Sequence, residues 1–306
     1  MVNNKGIPYF LIIAAGFIWG ATFSLTIIAS SGEASPTLLV TIQSVISCVL
    51  FWAFCKISGV RPFKLAHLKH YLVLSAVGII IPNSVYFSAA PHLSAGILSI
   101  TISTVPMFTY LIMWLMKFES AKGSRIAGIV LGMIAIVFLV VPDQGLASSD
   151  ASLWIIAVLI CALLYAIEAT YIDEGVDEQI DVRELLCGSN IIASVLLVPL
   201  VVLTKQNVPI SWWLSESAIA VACIALFSAT AYTLFFYSIK LAGSVFASQC
   251  AYIVTISGVL WGILIFNESH SFWVWISVAV MLAGLSLVSP MTKYEKESQG
   301  NPEPEK

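Results

Sequence analysis

Residues 86–142 read YFSAAPHLSAGILSITISTVPMFTYLIMWLMKFESAKGSRIAGIVLGMIAIVFLVVP, and residues 235–290 read FFYSIKLAGSVFASQCAYIVTISGVLWGILIFNESHSFWVWISVAVMLAGLSLVSP. Both run as helix, tight turn of small residues, long apolar helix, short acidic turn, second apolar helix and proline. The small-residue turn is His92-Leu93-Ser94-Ala95-Gly96 in the first stretch and Lys240-Leu241-Ala242-Gly243-Ser244 in the second. The acidic turns are Phe118-Glu119-Ser120 and Asn267-Glu268-Ser269, and the spacing from turn to acid differs by about one residue. Turn, acid and proline recurring in one order are what an internal duplication leaves behind. The chain starts of the two halves also correspond loosely, Phe17-Ile18-Trp19-Gly20-Ala21 against Leu163-Leu164-Tyr165-Ala166.

A membrane span needs about 20 mostly apolar residues. Working outward from the repeat, the sequence predicts ten, over 7–29, 36–57, 70–90, 94–117, 124–142, 152–172, 184–204, 216–239, 243–266 and 271–290. The composition agrees: 59% of the 306 residues are apolar and 10% charged, against about half and a quarter in soluble domains. So much apolar surface cannot hide in one soluble core, whereas a bilayer removes the difficulty. The expected fold is an all-α membrane protein, basket-like, with a first five-helix repeat over 1–145, a second over 146–290, and a disordered tail over 291–306. Five is odd, so the second half enters the membrane from the opposite face. The repeat is therefore inverted, the plan of many secondary transporters, with a site near the midplane between halves.

Charge placement orients the chain. With the N-terminus in the cytoplasm, thirteen of the 14 Lys and Arg residues fall on the cytoplasmic side and only Lys205 falls outside. A miscount by one helix would scramble that partition. The first apolar stretch has no small-residue cleavage site and reads as a retained helix. The net charge of −3 with no long basic stretch argues against nucleic acid as a partner. Expected partners are the lipid bilayer and a small-molecule substrate, with the protein a monomer or homodimer. The six cysteines form no CxxC pair and read as packing residues. The four histidines show no metal spacing, no P-loop is present, and no cofactor, metal site or enzymatic activity is expected.

The Trp19-Gly20-Ala21-Thr22-Phe23 run, the Ala/Gly-rich turns opening helices four and nine, Pro106 within helix four, the acids Glu119 and Glu268, and Gly128 and Gly132 of helix five resemble EamA-type proteins of the drug/metabolite transporter superfamily. The resemblance spans about residues 8 to 290. It implies a ten-helix basket whose helices one, three, four, six, eight and nine line a central cavity, with five and ten outside. It implies export of amino acids, other metabolites or drugs, often driven by proton exchange or by the solute gradient alone. One departure stands out: the second half has Ile253-Val254-Thr255 where the first has Pro106.

Glu168 is the one charged residue well inside a predicted span. A charge in hydrocarbon costs at least a few kcal/mol, so such a group faces a cavity or a partner. It suits a proton-coupling carboxylate or the counter-charge of a substrate amine; the plainer alternative is that helix six ends near Ala166 and Glu168 lies at the interface. Polar and aromatic residues on inner helices complete the expected site: Trp19, Thr22, Asn83, Tyr86, Ser103, Tyr165, Tyr232, Gln249 and Tyr252. Aromatic faces with a carboxylate suit an organic cation or zwitterion. Pro82 and Pro106 break their helices and are the expected gating positions. The leading expectation is an inner-membrane exporter of amino acids or related amines, with a multidrug, quaternary-ammonium exporter as the alternative.

Overall fold

The computed structural model describes residues 6–118, 123–140 and 149–288. Glu119, Pro142, Pro290, the 145/146 boundary and the tail 291–306 lie outside the described residues. Ten membrane helices follow one another: α1 Gly6–Ser30, α2 Pro36–Ile57, α3 Leu65–Ala89, α4 Ala95–Leu115, α5 Gly123–Val140, α6 Ser149–Glu174, α7 Val182–Leu203, α8 Glu216–Ala242, α9 Ser244–Phe266 and α10 Phe272–Val288. No strand occurs among the described residues.

The ends were readable because local chemistry writes them. Ser35, Ser94 and Ser215 cap α2, α4 and α8, each accepting from a backbone amide three residues on, and Pro36 opens α2 where its missing N–H costs nothing. Lys117 and Asn267, which follow α4 and α9, both adopt positive φ (66° and 52°). Of the three described non-glycine residues at positive φ, Lys205 being the third, these two stand at the acidic turns and mark the duplication in the backbone itself.

Helix pairing has the pattern of a twofold axis. The equivalents α2 and α7 pack together, as do α4 with α9 and α5 with α10. The remaining contacts are reciprocal: α1 lies on α8 and α9, while α6 lies on α3 and α4. Outward faces carry large apolar side chains such as Phe10, Ile13 and Phe17 of α1 and Val195, Val202 and Leu203 of α7. Small and polar residues turn inward, as a bilayer demands.

Close approach uses glycine. A Cβ on Gly20 would collide with Ser257, and one on Gly258 would collide with Ser99. Hydroxyls then tie the backbones: Ser103 Oγ to Thr255 Oγ1 at 2.7 Å, and Thr255 Oγ1 to the Ser99 carbonyl at 3.3 Å.

Three helices are interrupted. In α4 the break falls at Ser103–Thr104, just before Pro106. In α9 it falls at Ser248–Gln249, where i→i+3 bonds (Ala251 N to Ser248 O, Tyr252 N to Gln249 O, both 3.0 Å) replace the α-ladder without any proline. In α3 a π-helical turn covers Ser75–Ile80, immediately before Pro82. Pro82 has no N–H to return to the Gly78 carbonyl four residues back, and its ring crowds that carbonyl, so the ladder opens there.

Candidate functional site

The π-turn decides the site. The freed Gly78 carbonyl accepts a hydrogen bond from Tyr232 Oη of α8 at 2.8 Å. On the same residue a Cβ would fall on the Glu168 carboxylate. Only glycine lets α3 approach Glu168 this closely. Helix α6 continues through Glu168 to Glu174, so the carboxylate lies well within the helix, 2% exposed. No hydrogen-bond or ion-pair partner for it occurs among the described residues.

Glu168 lines a cavity of about 90 Å³ together with Trp19, Asn83, Tyr86, Tyr165 and Tyr232. The wall is drawn from α1, α3, α4, α6, α8 and α9. The aromatic side chains are ordered among themselves. Trp19 meets Tyr232 edge-on at 4.9 Å between centroids, Tyr86 stacks on Tyr165 at 6.3 Å, and Phe23 tilts against Tyr86 at 5.6 Å. The Tyr86 hydroxyl is buried with no hydrogen-bond partner among the described residues. Among the described lining residues Glu168 carries the only charge. Such a box can hold a positively charged group against π-faces and one carboxylate.

The structure thus brings together Glu168, Trp19, Thr22, Asn83, Tyr86, Tyr165 and Tyr232. It does not bring Ser103, Gln249 or Tyr252 to the cavity. Ser103 spends its hydroxyl on the α4–α9 seam. The Gln249 amide nitrogen bonds the Val245 carbonyl one turn back at 3.4 Å. Tyr252 packs with Met107, Tyr110 and Met113 in the cluster under α5 and α10. The α9 face toward the cavity is instead Ser248, Ala251 and Val254. Pro82 is buried beside the cavity wall, and Pro106 sits one residue past the lining Val105.

Sequence reasoning missed a second buried acid. Glu184, 1% exposed in the first turn of α7, accepts from Tyr71 Oη at 2.7 Å and pairs with Lys64 at 2.5 Å and with His67. These contacts join α7 to the start of α3, hence one half to the other. The clustering of Lys64, His67 and Tyr71 at the head of α3 was the available signal.

At the opposite end Glu268 clamps α4, accepting from the amides of Ala95 (2.8 Å) and Gly96 (3.1 Å), with His270 Nε2 at 3.2 Å. Burial opposes charge on Glu268, but His270 and the two amides outweigh it and hold its carboxyl below the ordinary value. A carboxylate on two free N–H groups at a helix start also meets the positive end of the helix dipole.

A ten-helix, twofold-repeated membrane bundle around an aromatic cavity defines the class: a membrane transport protein. The sequence matches the EamA-like transporter family over residues 6–141 and 152–289, once per half, and the chain belongs to that family. No match was found among curated proteins. A solved structure described only as "Crystal structure of protein" is similar in fold, with a TM-score of 0.64 and 16% identity over 92% of this chain and 95% of that one.

Proposed function

We propose that the protein exchanges a small amine-bearing metabolite, such as an amino acid, for protons, exporting it across the inner membrane with both termini in the cytoplasm. The substrate ammonium rests between the aromatic faces and the Glu168 carboxylate. When the amine leaves, a proton takes its place, so the buried acid is never left charged and alone. The observation that carries this reading is Glu168 itself: a buried carboxylate with no basic partner among the described residues, inside an aromatic-walled cavity.

The second amide hydrogen of Asn83 and the hydroxyl of Ser228 in the same wall suit a substrate carboxylate. Size favours a small solute over the alternative, a bulky quaternary-ammonium drug. The cavity is about 90 Å³, smaller than the roughly 150 Å³ void that accepts benzene.

Thermal unfolding of purified protein against a panel of amines, amino acids and cationic drugs tests this, since binding to the folded state raises apparent stability. Small amines should stabilise the wild type and not Glu168→Gln. Stabilisation by large cations alone would favour drug export, and equal stabilisation of both proteins would sink the assignment of Glu168.

A further inference from the structure

Beside the solute cavity lies a second, smaller chamber of about 20 Å³ between α2, α3, α7 and α8. Gln43, Ser44 and Ser47 line it from α2, Ser189 and Asn190 from α7, and Glu168 lines both spaces together with Asn83, Ser228 and Tyr232. The volume suits one water-sized body and excludes an organic amine.

Several polar groups around it give a hydrogen to their own helix. Asn83 Nδ2 gives to the Ile79 carbonyl and Asn190 Nδ2 to the Leu186 carbonyl, both at 2.8 Å, and Ser189 Oγ gives to the Leu185 carbonyl at 2.7 Å. All three side-chain oxygens keep lone pairs free to coordinate, and each amide keeps a second N–H. Gln43 Oε1 and Ser44 Oγ are buried and have no hydrogen-bond partner among the described residues, in residues 5% and 1% exposed. Native structures rarely leave such atoms unpaired without an occupant. None of the described lining residues is basic. The ionisable groups near Glu168 are phenols, Tyr165 on its own helix and Tyr232 from α8, while α3 presents Gly78 and Asn83 there.

We infer that this chamber binds a small monovalent cation, sodium or hydronium, on the oxygens of Gln43 and Ser44 with Glu168 as counter-charge. Hard, oxygen-only coordination is what such ions take. The inference rests on the transport reading of Glu168 and adds to it a separate seat for the coupling ion. Because one carboxylate serves both spaces, ion and amine compete for its charge, which is the linkage an exchanger needs.

The test is thermal unfolding of the full chain in NaCl against KCl at equal ionic strength, repeated over a pH series with a stabilising amine. If the ion is sodium, NaCl raises the melting temperature, and Gln43→Leu weakens the sodium response by roughly tenfold or more, the loss expected for one ion-binding oxygen. Ser44→Ala, a minimal change that keeps the fold, weakens it in the same direction. If the ion is hydronium, sodium has no effect. The pH midpoint of amine stabilisation then moves in both variants, by about one unit for the tenfold loss. Both variants should still bind the amine, because neither residue lines its cavity.

A sodium response and pH midpoint unchanged in both variants would overturn the inference and leave a neutral water there. The transport reading fails by a different result: no amine stabilises the wild type, or Glu168→Gln binds amines as well as the wild type does.

Discussion

Replacing Pro82 by Ala and Tyr232 by Phe, singly and together, asks whether the proline's missing N–H recruits the tyrosine. In the wild type the Gly78 carbonyl has no i→i+4 donor and takes the Tyr232 hydroxyl at 2.8 Å. Hydrogen bonds between membrane helices average about 0.6 kcal/mol and reach about 1.7. This one is partly buried and short, so Tyr232→Phe should cost about 1 kcal/mol, on the order of 2 °C in melting temperature for a chain of this size. In the Pro82→Ala background residue 82 regains an N–H, the π-turn can close into an α-turn, and the carbonyl is served within α3. There Tyr232→Phe should cost about half as much or less, a coupling measurable by a double-mutant cycle in thermal unfolding. Strict additivity would refute the reasoning, and so would a larger cost in the alanine background.

Three further outcomes follow from the seams. Glu268 is held below the ordinary carboxylate value by His270 and two amides, so its stabilisation is complete above the unfolded value, about pH 4.3. It is lost as pH falls through the folded value; Glu268→Gln should flatten the acid limb of the stability profile, and an unchanged limb would deny the clamp. Gly258→Ala drives a methyl into Ser99 at the α4–α9 crossing and should cost about 1–3 kcal/mol in unfolding; a neutral result would mean that the helices part freely. Glu184→Ala strands Tyr71 and His67 and should cost about 2–4 kcal/mol, whereas Lys64→Ala, at 42% exposure, should cost under about 1 kcal/mol; the reverse ranking would contradict the account of that network.

Helix positions were legible because apolar length and capping are local properties: α2 was read as 36–57 and folds as Pro36–Ile57. Glu168 was legible because hydrocarbon makes one acid conspicuous. The rest depended on which way each face turns. Gln249 and Tyr252 were chosen for polarity, yet their side chains turn away from the cavity, and the α9 face toward it is Ser248, Ala251 and Val254. The break in α9 carries no proline to announce it. Nothing in the sequence singles out the α2 and α7 polar residues; only the unpaired Gln43 Oε1 and Ser44 Oγ beside Glu168 mark the chamber.

The central claim is that Glu168 carries amine and proton in turn. The direct measurement is amine flux into proteoliposomes across an imposed pH gradient, wild type against Glu168→Gln, alongside amine exchange with no gradient. The account predicts that the wild type is driven by the gradient and that Glu168→Gln has lost gradient-driven uptake. Glu168→Gln uptake that follows the pH gradient as the wild type does would contradict it.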